Sequence, residues 1–148
     1  MIIRTKYHGD MEIAEEQILH FENGIPGFLE EKKFVILPLT DDGIYHLLQS
    51  VETAQLAFVI TNPFMFYKDY EFELDDIVLD QLEIKSPKDV QIYNILTLRE
   101  PFERTTINLQ APIVINSKNQ KGKQVILNSD SYTTKHPLFH KVQEGEKG

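Results

Sequence analysis

Histidine side chains are the groups in this sequence most able to hold a metal ion or move a proton near neutral pH. The chain has five histidines and no cysteine. His136 and His140 are four residues apart, a spacing that places two side chains on one face of a helix, but Pro137 between them opposes a regular helix beyond its first turn. Zinc needs a further ligand, and the sequence places none near them. The pattern therefore predicts surface histidines close to a polar tail and no metal site.

Paired carboxylates could perform acid–base catalysis, and two adjacent pairs occur, Asp41 with Asp42 and Asp75 with Asp76. Both pairs fall where we expect a turn or the start of a helix, positions at which aspartate bonds local backbone. An acid–base pair would instead need burial or coupling that raises one pKa. The sequence has neither a nucleophile elbow nor a glycine-rich phosphate loop. We therefore expect no catalytic residue, no cofactor and no enzymatic activity.

The overall charge favours a protein partner over a nucleic acid. The chain has 148 residues, with 23 acidic and 15 basic side chains and a net charge of -8. A surface of this sign repels a phosphate backbone unless it carries a local basic patch, and the lysines are scattered. An acidic domain is steered towards a basic protein, although the same charge could instead only maintain solubility. We expect no direct binding to nucleic acid.

Length and apolar patterning predict one domain that is not embedded in a membrane. No apolar stretch reaches the length of a membrane span, and the absence of cysteine is typical of a cytoplasmic protein. We expect a globular domain over residues 1–138, followed by a polar and flexible tail over residues 139–148. Because no exposed apolar edge is evident, we expect the free protein to be a monomer.

Short apolar runs bounded by asparagine and proline are the strongest structural signal. Leu56–Ile60 and Pro112–Ile115 are such runs, and they are typical of buried strands that end in polar turns. Turns at residues 41–43 and 119–122 predict two hairpins. Aspartate at position 75 or 76 can begin a short helix that runs through about Leu82, and Ser86-Pro87 prevents its continuation. Together these signals predict an all-β, mainly antiparallel domain, a compact β-barrel with one short helix.

Three asparagines, Asn62, Asn108 and Asn116, lie where a buried strand emerges. Their side-chain amides could form hydrogen bonds there with the backbone or with a partner. Pro26, Gly27, Pro112 and Asn116 are first explained as residues of loops and strand ends.

Aromatic and acidic side chains are concentrated in residues 62–74, which follow the apolar run Leu56–Ile60. Tyr70–Leu74 has a strict period of two, which predicts a strand with its glutamates on one face. The rings could simply cover the barrel, but an apolar centre with an acidic edge is also how a protein-binding surface is organised. The residues we predict for such a surface are Asn62, Phe64, Tyr67, Asp69, Tyr70, Glu71 and Glu73.

Five segments resemble a known family, the flagellar assembly factor family FliW. The resemblance runs in the family's order from near residue 1 to about Leu138, and the set of segments is more specific than any one of them. The segments are Ile25–Phe28, Phe58–Phe64, Asp69–Tyr70, Asn108–Asn116 and Gln124–Leu127.

The resemblance implies a β-barrel-like domain without enzymatic activity. Proteins of this family bind the translational regulator CsrA and keep it from repressing flagellin messenger RNA. They also bind flagellin, so that free flagellin takes up the factor, CsrA is released and flagellin synthesis falls. We expect both partners here, with CsrA, a basic RNA-binding dimer, carrying one copy per subunit. The resemblance also implies that the antagonism acts through an extension of the regulator outside its RNA site.

Two other functions remain open from the residues alone. A deep apolar pocket with convergent polar groups would favour a small-molecule-binding β-barrel or a carboxylate-dependent enzyme, whereas a shallow acidic patch around Glu71 would favour the protein antagonist. A nucleic-acid-binding barrel would need a basic groove with stacking aromatic side chains, which the charge balance opposes.

Overall fold

The computed structural model describes residues 1–139, so His140 and all of the predicted tail except Phe139 lie outside the described residues. This part of the chain forms eleven strands, one α-helix and four short turns of 3-10 helix. The strands are β1 (Ile2–Thr5), β2 (Gly9–Glu12), β3 (Leu19–His20), β4 (Lys33–Pro38), β5 (Tyr45–Ser50), β6 (Ala57–Thr61), β7 (Val90–Thr97), β8 (Thr106–Ile107), β9 (Ile113–Asn116), β10 (Lys121–Gln124) and β11 (His136–Pro137). The helix α1 spans Asp76–Leu82, and the 3-10 turns span Glu15–Gln17, Pro63–Met65, Pro87–Asp89 and Phe102–Arg104.

Seven strands close into a barrel-like ring in the order β7-β6-β5-β4-β3-β10-β9, with β9 returning to β7. All neighbours in the ring are antiparallel except β3 and β10, which meet through one parallel bridge between His20 and Lys121. The predicted hairpins β4–β5 and β9–β10 are both present. The predicted fold class, a mainly antiparallel β-barrel with one short helix, is confirmed.

Strand β7 holds the ring together because it pairs with three other strands. Its first four residues pair with β9, its last two pair with β8, and Asn94 and Ile95 pair with β6. Between β8 and β9, the five residues 108–112 lie opposite only Asn94 and Ile95, so the chain bulges there. A bulge re-aims backbone groups out of the ladder, and the Asn108 carbonyl accepts a hydrogen bond from Asn94 Nδ2 at 2.7 Å.

Apolar side chains fill the inside of the ring. One buried cluster draws residues from β3, β4, β5, β6 and β9, which lie all around the ring, so it occupies the interior. Gly122 of β10 approaches this cluster so closely that an added Cβ would lie 2.7 Å from Cζ of Phe21. The fully buried members of the cluster include Phe21, Ile25, Phe34, Leu48, Ile60, Ile113 and Ile115.

The outer face of the ring is also buried in two places. Leu47 and Leu48 of β5 belong to different clusters, because successive side chains of a strand point to opposite faces. The outer cluster that contains Leu47 packs under the β1–β2 hairpin and includes Leu138. Another outer cluster joins α1 to Val114 of β9. Leu138 is fully buried, so the chain is docked at least as far as that residue.

Helix α1 begins and ends where the sequence predicts. Asp75 is the N-cap, and its carboxylate accepts a hydrogen bond from the Val78 amide at 3.0 Å. The predicted end at about Leu82 is confirmed. Glu83 adopts a left-handed conformation with φ of 55°, a conformation that commonly ends a helix. Within residues 1–139, this seven-residue segment is the one α-helix, and no helix there is long and apolar enough to cross a membrane.

The segment Tyr70–Leu74 is not a strand, which corrects the prediction from its alternating pattern. The alternation itself is present as burial: Tyr70, Phe72 and Leu74 turn inwards, while Glu71 and Glu73 are exposed. A period of two reports which side chains face the core, but a strand also needs a neighbour for its backbone. The segment instead crosses the outer face of the ring between the two outer clusters.

We predict that Gly122→Ala destabilises the ring. The added methyl would press on the ring of Phe21, which is fully buried, and overpacking of this kind costs about 1–3 kcal/mol. Urea denaturation should show this loss in the free energy of unfolding. Lys123→Ala, at the next position of β10, serves as the control and should have a smaller effect. Unchanged or increased stability of Gly122→Ala would contradict the close packing.

Candidate functional site

An open groove of about 700 Å³ lies on the outer face of the ring. Its walls are the segment Tyr70–Leu74 and the connection from α1 to β7, and its floor is formed by Val90 and Ile92 of β7. The lining residues are Phe64, Tyr70, Glu71, Phe72, Glu73, Leu74, Leu79, Ile84, Lys85, Ser86, Pro87, Val90 and Ile92.

The groove is apolar at its centre and charged at its rim. Phe72, Leu74, Ile84, Val90 and Ile92 are partly buried members of the two outer clusters. The charged side chains of the lining are two glutamates on one wall and one lysine on the other. An apolar centre with a polar rim is the usual organisation of a protein-binding surface.

Four of the seven predicted site residues line this groove, namely Phe64, Tyr70, Glu71 and Glu73. Phe64 is 40% exposed, and both glutamates are exposed. These three side chains are therefore accessible to a partner. Tyr70 is buried and supports the groove through its contacts with the barrel.

Tyr70 fixes the first wall of the groove to the barrel. Its hydroxyl donates a hydrogen bond to the Leu109 carbonyl at 2.6 Å and accepts one from Asn94 Nδ2 at 3.3 Å. Both partners belong to the bulge and to the part of β7 opposite it. Burial raises the pKa of Tyr70 to about 12. The ring centroid of Tyr132 lies 4.8 Å from that of Tyr70, in an edge-to-face arrangement.

The other three predicted site residues lie outside the groove lining. The side chain of Asn62 caps the 3-10 turn Pro63–Met65 by accepting a hydrogen bond from the Phe64 amide at 2.9 Å. Tyr67 is half-buried, and its hydroxyl donates to the Pro137 carbonyl. Burial raises the pKa of Tyr67. Asp69 is exposed on the chain between this turn and Tyr70.

The asparagines at the strand ends bond to the protein's own backbone. Asn108 Oδ1 accepts hydrogen bonds from the amides of Gln110 and Ala111. Asn116 is buried and donates through Nδ2 to the carbonyls of Leu82 and Glu83, at 2.8 and 3.1 Å. Asn116 therefore connects the end of α1 to β9, and the explanation of this residue by structure agrees with its contacts.

The carboxylate pairs lie where turns and caps were predicted. Asp42 accepts hydrogen bonds from the Thr40 hydroxyl at 2.5 Å and from the Ile44 amide at 2.9 Å, and these bonds lower the pKa of the Asp42 carboxyl. Asp75 caps α1. His136 lies in β11, where its Nε2 accepts a hydrogen bond from the Thr133 amide at 2.8 Å. Within residues 1–139, no three His, Asp or Glu side chains are grouped to hold a metal.

The second wall of the groove, Ile84–Pro87, was not predicted as part of a site. Its sequence indicates only the end of a helix, and nothing local shows that it faces Tyr70–Leu74. The one usable signal was Ile84, an apolar residue placed after the helix end and before Pro87. Such a residue needs a surface to cover it, and here it joins the outer cluster under α1.

Comparison with known proteins gives a consistent relationship over nearly the whole chain. The family described as FliW protein matches residues 2–138. A flagellar assembly factor FliW from Bacillus subtilis (strain 168) is 57% identical over 138 residues, which cover 93% of this chain and 96% of that protein. One from Geobacillus kaustophilus (strain HTA426) is 58% identical over 139 residues, covering 94% and 96%.

A solved structure agrees with this relationship. The crystal structure of a flagellar assembly factor FliW superposes with a TM-score of 0.90 at 54% sequence identity, and the match covers 95% of this chain and 98% of that one. The fold thus defines a barrel-like ring of strands of the kind seen in a flagellar assembly factor. The chain belongs to the FliW family. That membership supports a role in flagellar assembly.

We predict that Tyr70→Phe lowers the free energy of unfolding by about 1–2 kcal/mol, because the Leu109 carbonyl loses its hydrogen bond inside the protein. The pH dependence should change as well. The pKa of Tyr70 is raised from 10 to about 12, so between these values the folded state keeps a proton that the unfolded state has lost. Stability from this group is therefore present below pH 10 and is lost as the pH rises to 12.

Urea denaturation at neutral pH, at pH 10 and at pH 12 would test both effects. Tyr70→Phe should lose less stability over the alkaline range than the wild type, although a slope from Tyr67 should remain because the pKa of Tyr67 is also raised. Tyr7→Phe is the control, since Tyr7 is 49% exposed. An equal alkaline slope in Tyr70→Phe and the wild type would contradict the role of the buried hydroxyl.

Proposed function

We propose that this chain is a non-enzymatic flagellar assembly factor that binds CsrA in the cytoplasm and relieves repression of flagellin messenger RNA. It also binds flagellin as a chaperone-like partner, so that the level of flagellin feeds back on flagellin translation. The free protein is a monomer. The domain extends over residues 1–138 and is followed by a polar tail.

The observation that carries this proposal is the acid-rimmed apolar groove. Glu71 and Glu73 are exposed beside a floor of aliphatic side chains. CsrA binds RNA and must therefore present positive surface, to which a chain with a net charge of -8 is attracted. Membership of the FliW family supports the flagellar part of the proposal, because the relatives are named flagellar assembly factors, and the two partners are what the family resemblance implies.

The structure divides the predicted interface residues by what each can do. Phe64, Asp69, Glu71 and Glu73 are exposed and can contact a partner directly. Asn62, Tyr67 and Tyr70 make hydrogen bonds that hold the loop and the first wall in position. In this proposal the first set supplies the contacts and the second set maintains their arrangement.

Antagonism of RNA binding from a separate surface of CsrA would be a coupling between two sites. If the assembly factor weakens RNA binding by a given factor, RNA must weaken binding of the assembly factor by the same factor. The proposed mechanism is therefore a shift in the binding equilibrium of CsrA, which requires no catalytic group in this chain.

A small-molecule-binding barrel or a carboxylate-dependent enzyme is the alternative function. It finds less support, because buried apolar side chains fill the ring interior and the groove on the outer face is open. The two carboxyl groups with a lowered pKa, those of Asp42 and Glu83, also make structural contacts. The pKa of Glu83 is lowered by its hydrogen bond and ion pair with Lys121 at 2.5 Å, an environment that favours the charged form and opposes a role as a proton donor.

Light scattering on a size-exclusion column would test partner exchange. We expect a stable complex of this protein with CsrA, with one copy of the assembly factor per CsrA subunit. Added flagellin should dissolve that complex and form a new one. Absence of a complex with either partner, at low salt and micromolar concentration, would overturn the proposed function and direct attention to ligands of the barrel.

Charge reversal on the first wall should slow association with CsrA. In Glu71→Lys with Glu73→Lys, each substitution adds two charges, which changes the net charge from -8 to -4. We expect the association rate constant at low ionic strength to fall about tenfold or more and its salt dependence to weaken. Stopped-flow fluorescence would measure both quantities.

The matched control is Glu15→Lys with Glu16→Lys, which alters net charge equally on an exposed turn away from the groove lining. It should slow association less than the groove variant does. Equal rates for the two variants would mean that only the total charge matters and would remove this wall from the interface.

A further inference from the structure

Two stretches of backbone face each other across the groove. Tyr70–Leu74 and Ile84–Pro87 each contribute consecutive residues to the lining, with Val90 and Ile92 of β7 between them. Successive side chains of an extended chain point to opposite faces. A wall formed by consecutive residues therefore presents backbone groups to the groove as well as side chains.

The first wall has backbone hydrogen-bonding groups that the described chain leaves without partners. The Glu71 amide donates to the Tyr132 hydroxyl at 3.1 Å, and Tyr132 is not part of the groove lining. An extended residue directs its N–H and C=O to one edge and the next residue directs them to the other. Phe72 and Leu74 therefore direct theirs towards the groove, and within residues 1–139 their backbone groups form no hydrogen bond.

The charges beside this backbone edge define which side chains a partner should carry. Glu71 and Glu73 are exposed on the first wall, and neither forms an ion pair within residues 1–139. Lys85 is exposed on the opposite wall. A basic side chain would thus be attracted to the first wall and repelled by the second.

We propose that the groove binds an extended peptide segment of a partner protein by β-strand addition to residues 71–74. The segment would pair with the backbone of Phe72 and Leu74, place alternate apolar side chains on Val90 and Ile92, and direct a basic side chain to the glutamates. An edge with unpaired backbone groups is a template for another strand, and peptides are commonly recognised in this way. The proposal deepens the proposed function and rests on it for the identity of the protein that supplies the segment.

A helical segment fits these features less well. A helix satisfies its own backbone hydrogen bonds, so it would leave the edge of the first wall unpaired. An extended segment about as long as the wall would satisfy that edge and still reach the apolar floor, because a strand advances about 3.3 Å per residue.

A direct test uses the isotope-labelled full chain and a synthetic pentapeptide, acetyl-Val-Lys-Val-Lys-Val-amide, followed by amide NMR spectra. We expect saturable shifts at the amides of Phe72, Leu74 and Lys85. Analogues N-methylated on the valines or on the lysines each block one peptide edge. At least one of them should bind less tightly, by a factor of about two to ten for each lost hydrogen bond.

Side-chain variants test the expected sign of the charge effects. Glu73→Gln should weaken binding of the lysine peptide and Lys85→Gln should strengthen it, while both variants keep the backbone edge intact. Glu52→Gln, an exposed turn residue outside the groove lining, is the control and should change nothing. Equal affinity in all three variants would overturn the proposed orientation of the basic side chain.

The outcomes separate this proposal from the proposed function. Peptide binding at the groove without a complex with CsrA or flagellin would support strand addition and remove the proposed partners. Complexes with those partners, combined with no peptide shifts at millimolar concentration or with unchanged binding of both N-methylated analogues, would overturn strand addition and leave the function standing. Preferential shifts of the groove by an amphipathic helical control peptide would also overturn it.

Discussion

The hydrogen bond from the Tyr70 hydroxyl to the Leu109 carbonyl is the contact on which the first wall of the groove depends. It is made possible by the bulge of residues 108–112, where the chain passing from β8 to β9 leaves the ladder of β7. Asn94 completes the arrangement by bonding both the tyrosine and the bulge. A buried carbonyl must find a donor, so the irregularity that closes the ring also fixes the wall of the groove.

This arrangement explains how a short segment without strand pairing can have a defined position. Its inward side chains belong to two different outer clusters. Tyr70, its first residue, is buried against the ring of Tyr132. A surface held from below in this way loses little conformational freedom when a partner binds, which favours affinity. Glu71 and Glu73 remain exposed on this wall.

The strands, the hairpins and both ends of α1 could be predicted from sequence because their signals are local: short apolar runs, turn residues, a capping aspartate and a proline after the helix. The limits are equally physical. Tyr70–Leu74 showed the correct alternation of burial but has no neighbouring strand, and pairing depends on residues far away in the chain. Tertiary contacts place Ile84–Pro87 opposite this segment and bury Tyr70. No local sequence pattern encodes these contacts. The exposure of Glu71 and Glu73 could be predicted because they alternate with apolar residues that face inwards.

The single parallel bridge between β3 and β10 has a consequence for how the ring assembles. His20 and Lys121 lie 101 residues apart in the chain (121 minus 20), whereas the hairpins close loops of only a few residues. Bringing distant positions together carries a larger loop-closure entropy, and such contacts slow folding. We expect the β3–β10 junction to form last, after the local hairpins, so that closure of the ring is the final step of folding.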